Sequence, residues 1–181
     1  MLLVPIARLI AASPADSTSR WILSTDVCHW AMLGTINAQA QLRLTGHWSI
    51  MAGALYNPFK YYNRPGDMIC LKQATPYVAS RYWFNGTFTG WYCEGKILAS
   101  VYNVSLPRFS KYFEGEMMAA GIGAGYTRRL ASRLSITAGA GVLAAAHRST
   151  YYEGPVCGRI TDARRGLVLL PDLTLSIDFI L

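Results

Sequence analysis

No stretch of this sequence is long and apolar enough to cross a membrane as a helix. The longest runs free of Asp, Glu, Lys and Arg are sixteen residues, 27–42 and 44–59, and both contain His, Asn, Gly and Thr; a spanning helix needs about 20 mostly apolar residues. Charge is scarce at 15%, and although the balance is +7 with a pI near 9.4, the cations are scattered singly or in pairs such as Arg128-Arg129 and Arg164-Arg165. No basic stripe forms, so a nucleic-acid partner is not expected. The four cysteines, Cys28, Cys70, Cys93 and Cys157, include no CxxC pair, which removes the strong zinc and thioredoxin-like readings. Neither a metal nor a cofactor is expected.

What the chain does have is apolar content, 52% hydrophobic residues and a mean hydropathy of +0.21, in 181 residues that make one domain by size. Without a spanning helix, the remaining way to cross a bilayer is a closed sheet, in which every backbone N–H and C=O finds a partner without water.

Periodicity points the same way. Ile36, Ala38, Ala40, Leu42 and Leu44 alternate with Asn37, Gln39, Gln41 and Arg43, the period of two that marks a strand with one apolar face. The C-terminus repeats it, with Leu173, Leu175, Ile177, Phe179 and Leu181 against Thr174, Ser176 and Asp178. Weaker alternation covers 48–56 and 134–146, and Asn85-Gly86 between two aromatic-rich runs predicts a two-residue type I′ hairpin.

Eight strands are predicted, over 21–29, 36–44, 48–57, 77–84, 87–98, 112–127, 134–148 and 172–181. Their connections alternate in length: short at 45–47, 85–86 and 128–133, long at 58–76, 99–111 and 149–171. Short periplasmic turns, longer extracellular loops and an even strand number are the pattern of outer-membrane barrels. The expected fold is therefore an all-β, eight-stranded antiparallel up-and-down transmembrane barrel over 21–181, in a bacterial outer membrane with both termini periplasmic. Residues 1–20 read either as a degraded secretory signal or as a disordered N-terminus. Trp21, Trp48, Phe84, Tyr126 and Phe179 fall near the short-turn end, where an aromatic girdle belongs.

Carrying the alternation through the hairpin puts Asp26, Arg43, Arg81, Glu94 and Asp178 on the lumen side, with Phe88 and Tyr92 beside them. An eight-stranded interior is just wide enough for side chains to fill it, and a buried charge needs a partner. A plugged lumen with a salt-bridge network follows as the expectation, with no open pore.

From Trp21 onward the chain resembles a Bacteroidetes family of small outer-membrane barrels of unknown function, OmpA/OmpX-like in architecture. The matching residues are 81–84 (Arg-Tyr-Trp-Phe), Gly125-Tyr126 followed by 128–134, the Gly139 and Gly141 strand, and Tyr151-Tyr152. Residues 24–29, Ser-Thr-Asp-Val-Cys-His, depart from the family pattern at the first strand. The resemblance implies an eight-stranded outer-membrane barrel and supplies no activity; it suggests loci that also build surface fimbriae, hence an assembly or anchoring role.

Three further features carry chemistry. His147 and Ser149 share one face near a strand end with Glu153 close in sequence, the residue types of a Ser hydrolase triad, which gives a lipid A deacylase-like esterase as one alternative to a non-enzymatic barrel. Cys70 and Cys157 fall in two predicted loops, where an oxidising compartment allows a disulfide. Lys60, Arg64, Lys72, Arg108, Lys111, Arg159, Arg164 and Arg165 lie on the predicted outer side, placed to meet lipopolysaccharide phosphates through charge-assisted hydrogen bonds. The other alternative is a soluble lipocalin-like small-ligand carrier, also eight-stranded, against which a charged interior counts.

Overall fold

The computed structural model describes residues 19–31, 34–64, 67–106, 111–153 and 159–181. In chain order the elements are β1 (Trp21–Asp26), α1 (Val27–Ala31), β2 (Ile36–Arg43), β3 (Trp48–Asn57), β4 (Lys60–Arg64), β5 (Asp67–Trp83), β6 (Gly90–Leu106), β7 (Lys111–Ala131), β8 (Leu134–Tyr152) and β9 (Ile160–Ile180). Every neighbouring pair is antiparallel, β3 pairs with β5, and β1 pairs with β9. The ring therefore closes on eight strands, with β4 an extra short strand on the flank of β5. Closure removes the sheet edges over the paired region, the property an eight-stranded barrel needs.

Alternation sets the two faces as the sequence predicts. Asn37, Gln39 and Gln41 are buried, while Ile36 is 54% exposed. Outward apolar positions span nine residues on β3 (48–56), nine on β7 (118–126) and thirteen on β8 (134–146). Glu116 and Arg128 bound that band on β7, and Arg148 bounds it on β8. At the short-turn end Trp21, Trp48, Phe84, Tyr126 and Phe179 are all exposed, as expected. Trp91 joins them, edge-on to Tyr126 at a centroid separation of 5.2 Å. The start of β1 meets the end of the chain here, where the Leu181 amide donates to the Trp21 carbonyl at 3.1 Å.

Three local expectations are corrected. The first strand stops at Asp26 rather than His29 because Asp26 caps a helical turn: its Oδ1 accepts the Cys28 amide at 2.8 Å, the satisfaction of an orphan N–H that defines an N-cap. Cys28 thus lies in α1, not in a strand.

Asn85-Gly86 does not form a two-residue hairpin; the connection spans 84–89. Tertiary anchoring overrides the local turn preference, since the Thr87 amide donates to the Gly46 carbonyl at 2.8 Å and its hydroxyl to the Thr45 carbonyl at 2.7 Å. Positive φ at Gly86 (106°), Phe88 (74°) and Gly90 (77°) lets the chain double back. The longer loop adds an even number of residues, so the faces of β5 and β6 stay where the hairpin would have put them.

The predicted long loops are largely strand: β5 begins at Asp67, β6 runs to Leu106, β8 to Tyr152, and β9 begins at Ile160. A tall rim formed by β5 to β9 consequently rises above the short β1, β2 and β3.

Glycines on the inner wall make room for lumen side chains. Gly125 pairs with Gly139 across β7 and β8, and a Cβ at Gly139 would lie 2.6 Å from the Tyr92 hydroxyl oxygen. Overpacking of this kind costs about 1–3 kcal/mol. Gly139→Ala is expected to lower the urea unfolding midpoint accordingly, and Tyr92→Phe in the same chain to restore part of the loss by removing the clashing oxygen. Equal midpoints for Gly139→Ala and the parent chain would show that the lumen has slack there.

Candidate functional site

All five charged residues predicted for the lumen are on its side of the wall, but they are not one network. Arg81 and Glu94, facing across β5 and β6, form the direct pair: Nε to Oε2 is 2.5 Å, with both side chains almost fully buried. Gln41 adds its Oε1 as acceptor to the Arg81 guanidinium at 3.4 Å, and the Tyr92 ring lies under the same guanidinium at 4.5 Å.

Lys96 bonds Glu94 at 3.3 Å and Asp172 at 2.6 Å, so the chain of alternating charge runs Arg81, Glu94, Lys96, Asp172. The sequence reading missed Lys96 and Asp172. Lys96 has the parity of Glu94 two residues earlier, and Asp172 that of Asp178 six residues later, so period two alone would have found both.

The other three predicted charges have neighbours of their own. Asp178 accepts from the Thr137 hydroxyl at 2.5 Å and from Ser176 at 2.8 Å. Asp26, besides capping α1, has His29 Nδ1 at 3.5 Å from its carboxylate. Arg43 stacks its guanidinium on the Phe88 ring at 5.1 Å. Each charge thus meets a ring, hydroxyl, amide or opposite charge, as burial in a narrow interior demands.

Towards the short-turn end, Ile22, Trp83, Phe88, Tyr92 and Ile180 form a buried apolar cluster. Trp83 Nε1 donates to Ser49 Oγ at 2.8 Å, and Gln41 Nε2 donates to the same hydroxyl at 2.6 Å. The indole packs against the Phe88 and Tyr92 rings at centroid separations of 6.1 and 5.0 Å, and its N–H has the partner a buried Trp usually finds. Towards the rim the lumen opens into a cavity of about 470 Å³ that reaches α1 and β9.

His147 and Ser149 do come together, with Nδ1 and Oγ 3.1 Å apart. Ser149 is buried and its oxygen also meets the Tyr102 hydroxyl at 2.7 Å over Gly115 of the intervening β7. Glu153 instead sits exposed at the tip after β8, its amide donating to the Arg159 carbonyl at 2.9 Å. The expected third member of a triad is thus at the tip, while the His and Ser side chains point inward.

Of the cations predicted for the outer side, Lys60, Arg159, Arg164 and Arg165 are exposed and Lys72 is half-buried. Arg64 and Lys111 are strand positions in β4 and β7, and Arg108 lies outside the described residues. Arg164 is paired, 2.5 Å from Asp162, and that hydrogen bond holds the Asp162 carboxyl below the usual carboxylate range. Nearby, the Tyr152 hydroxyl donates to Glu114, which pushes the phenol up. Cys157 lies outside the described residues, and with it the expected bridge to Cys70, whose thiol is buried and donates to the Asn103 carbonyl at 3.6 Å. Among the described residues no group of His, Cys, Asp and Glu has the arrangement of a metal site.

A family model described as Protein of unknown function (DUF3575) matches residues 4–181. No curated protein matches the chain.

Proposed function

The chain belongs to the DUF3575 family, and from that premise we propose that it is a non-enzymatic bacterial outer-membrane barrel with a side-chain-plugged lumen. Its termini are periplasmic, and its raised rim serves surface recognition, envelope integrity or the attachment of surface structures such as fimbriae. The observation that carries this reading is the inversion of the usual protein surface: polar and charged side chains fill the interior, while the outward apolar band is nine to thirteen residues high on β3, β7 and β8. A transmembrane strand needs about 9–11 residues. The aromatic ring at the short-turn end supports a bilayer interface there, because such girdles flank the apolar band of these barrels.

The Arg81–Glu94 pair and the aromatic cluster around Trp83 span the lumen, so no continuous water path is expected. After refolding into a planar bilayer the protein should leave conductance at baseline. Extraction should require detergent, and the folded band on a gel should shift on boiling. Recovery as a soluble monomer without detergent would sink the reading and favour the lipocalin-like carrier.

The non-enzymatic part rests on the inward orientation of His147 and Ser149, which keeps them away from an ester in the surrounding bilayer. Lipid A from cells lacking or overproducing the protein should be identical by mass. Exposed Lys60, Arg159 and Arg165 stand at the rim, where lipopolysaccharide phosphates would meet them in this orientation.

A further inference from the structure

We infer that the upper lumen is a binding site for an aliphatic acyl chain bearing a neutral carbonyl, entered from the side of the barrel beside β9. The cavity of about 470 Å³ lies within the range of about 300–1,000 Å³ for small-molecule sites, which favour barrel mouths and combine apolar walls with a few fixed polar groups. Its two walls differ. Leu98, Met117, Leu143 and Leu170 supply an apolar side, and Gln39, Tyr77, Lys96 and Asp172 supply a polar one.

The polar wall contains an unmet amide donor. Gln39 is 6% exposed; its Oε1 accepts from the Tyr77 hydroxyl at 2.6 Å, but its Nε2 has no hydrogen-bond partner. A buried amide N–H without an acceptor is costly, so a bound acceptor would recover that loss. The cations lining the cavity are already engaged, Arg81 with Glu94 and Lys96 with Glu94 and Asp172. Neither is left over for a carboxylate or phosphate. The free donor is neutral, and it selects an ester, amide or protonated acid carbonyl.

The lateral entry follows from the length of β1. That strand ends at Asp26, opposite Ser176, so above Ser176 the short α1 rather than a strand lies against β9 on that side. The cavity touches five consecutive residues there, Leu170 to Thr174, which belong to both faces of the strand. It therefore follows the unpaired edge of β9, and Leu173 at that edge belongs to the outward apolar band. An acyl chain in the bilayer would reach the cavity past this edge without crossing water. This entry route rests on the outer-membrane reading; the cavity and its orphan donor do not.

The test uses the full chain in nanodiscs of ether-linked phospholipid, which contains no carbonyl, titrated with decanamide and with decanoate at neutral pH and read by isothermal calorimetry. Decanamide should bind saturably at one per chain and more tightly than decanoate. Gln39→Leu should weaken decanamide by about tenfold, the worth of one hydrogen bond to a buried donor. Leu143→Trp, which fills the cavity from the opposite wall, should abolish binding even if Gln39→Leu folds poorly.

Ester-linked lipid in the nanodisc separates the two sources of the acyl group. Competition with decanamide assigns it to a membrane lipid, and undiminished binding assigns it to a free amphiphile. Absence of saturable decanamide binding, or equal uptake by the parent chain and both variants, would overturn the site. Saturable binding by a protein that proves soluble without detergent would keep the site and remove the membrane reading.

Discussion

Glu94→Ala is expected to destabilise the folded chain by about 3–5 kcal/mol, the cost of breaking a buried ion pair from one side. Arg81 is 2% exposed, and the substitution leaves its guanidinium with only the Gln41 oxygen at 3.4 Å and the Tyr92 ring at 4.5 Å. Lys96 loses one of its two carboxylates as well, keeping Asp172. Replacing both members, as Arg81→Met with Glu94→Leu, removes the stranded charge along with its partner and is expected to recover most of the loss, because apolar replacements of a buried pair are often neutral or stabilising. Urea unfolding of protein refolded into phospholipid vesicles, followed by tryptophan fluorescence, measures both. The non-additivity of the double variant reports the coupling. A single-variant loss under 1 kcal/mol would mean that water reaches the pair and that the lumen is not closed there.

Ile122→Arg is expected to cost about 2–4 kcal/mol when the host is a bilayer, the depth-dependent penalty for a cation on the lipid face near mid-plane. Ile122 is 78% exposed, lies midway along the outward band of β7 and touches no lumen group. On a water-facing barrel the same exposed substitution would stay within about 0.5 kcal/mol. The penalty should shrink to about 0–1 kcal/mol for an arginine placed near the band's edge, as at Met118. A flat response along β7 would contradict a lipid-facing band.

The parts of the fold legible in the sequence are those where one face meets a uniform environment. On β2, Ile36 to Arg43 alternates because the outward side is wholly apolar and the inward side wholly polar, and the same contrast makes the end of β9 plain. Higher on β9 the segment 161–166, Thr-Asp-Ala-Arg-Arg-Gly, is strand but polar on both faces; above the apolar band the contrast that creates period two is gone, so it read as loop. The turn at 84–89 was illegible for a different reason. Its shape depends on Gly46 and Thr45, forty residues away in sequence, which no local preference encodes.

For the site, parity found the residues and could not find their partners. It placed Arg81 and Glu94 on one face, and the strand register then made them neighbours. Asp26 had the right parity too, but its carboxylate went to the capped turn, an outcome fixed by where β1 ends. The upper cavity had no signature at all. It exists because β1 is short and β6 to β9 are tall, a difference in strand length that hydropathy does not report.

The central claim, that the apolar band faces lipid and the polar face lines a closed interior, is tested most directly by two adjacent residues of β2. In a chain whose four native cysteines are replaced by alanine, Leu42→Cys and Gln41→Cys are each exposed in vesicles to a maleimide confined to the lipid phase, and modification is read by mass. The thiol at position 42 should be modified and the thiol at position 41 left intact. Modification at position 41, alone or together with 42, would contradict the assignment of the two faces.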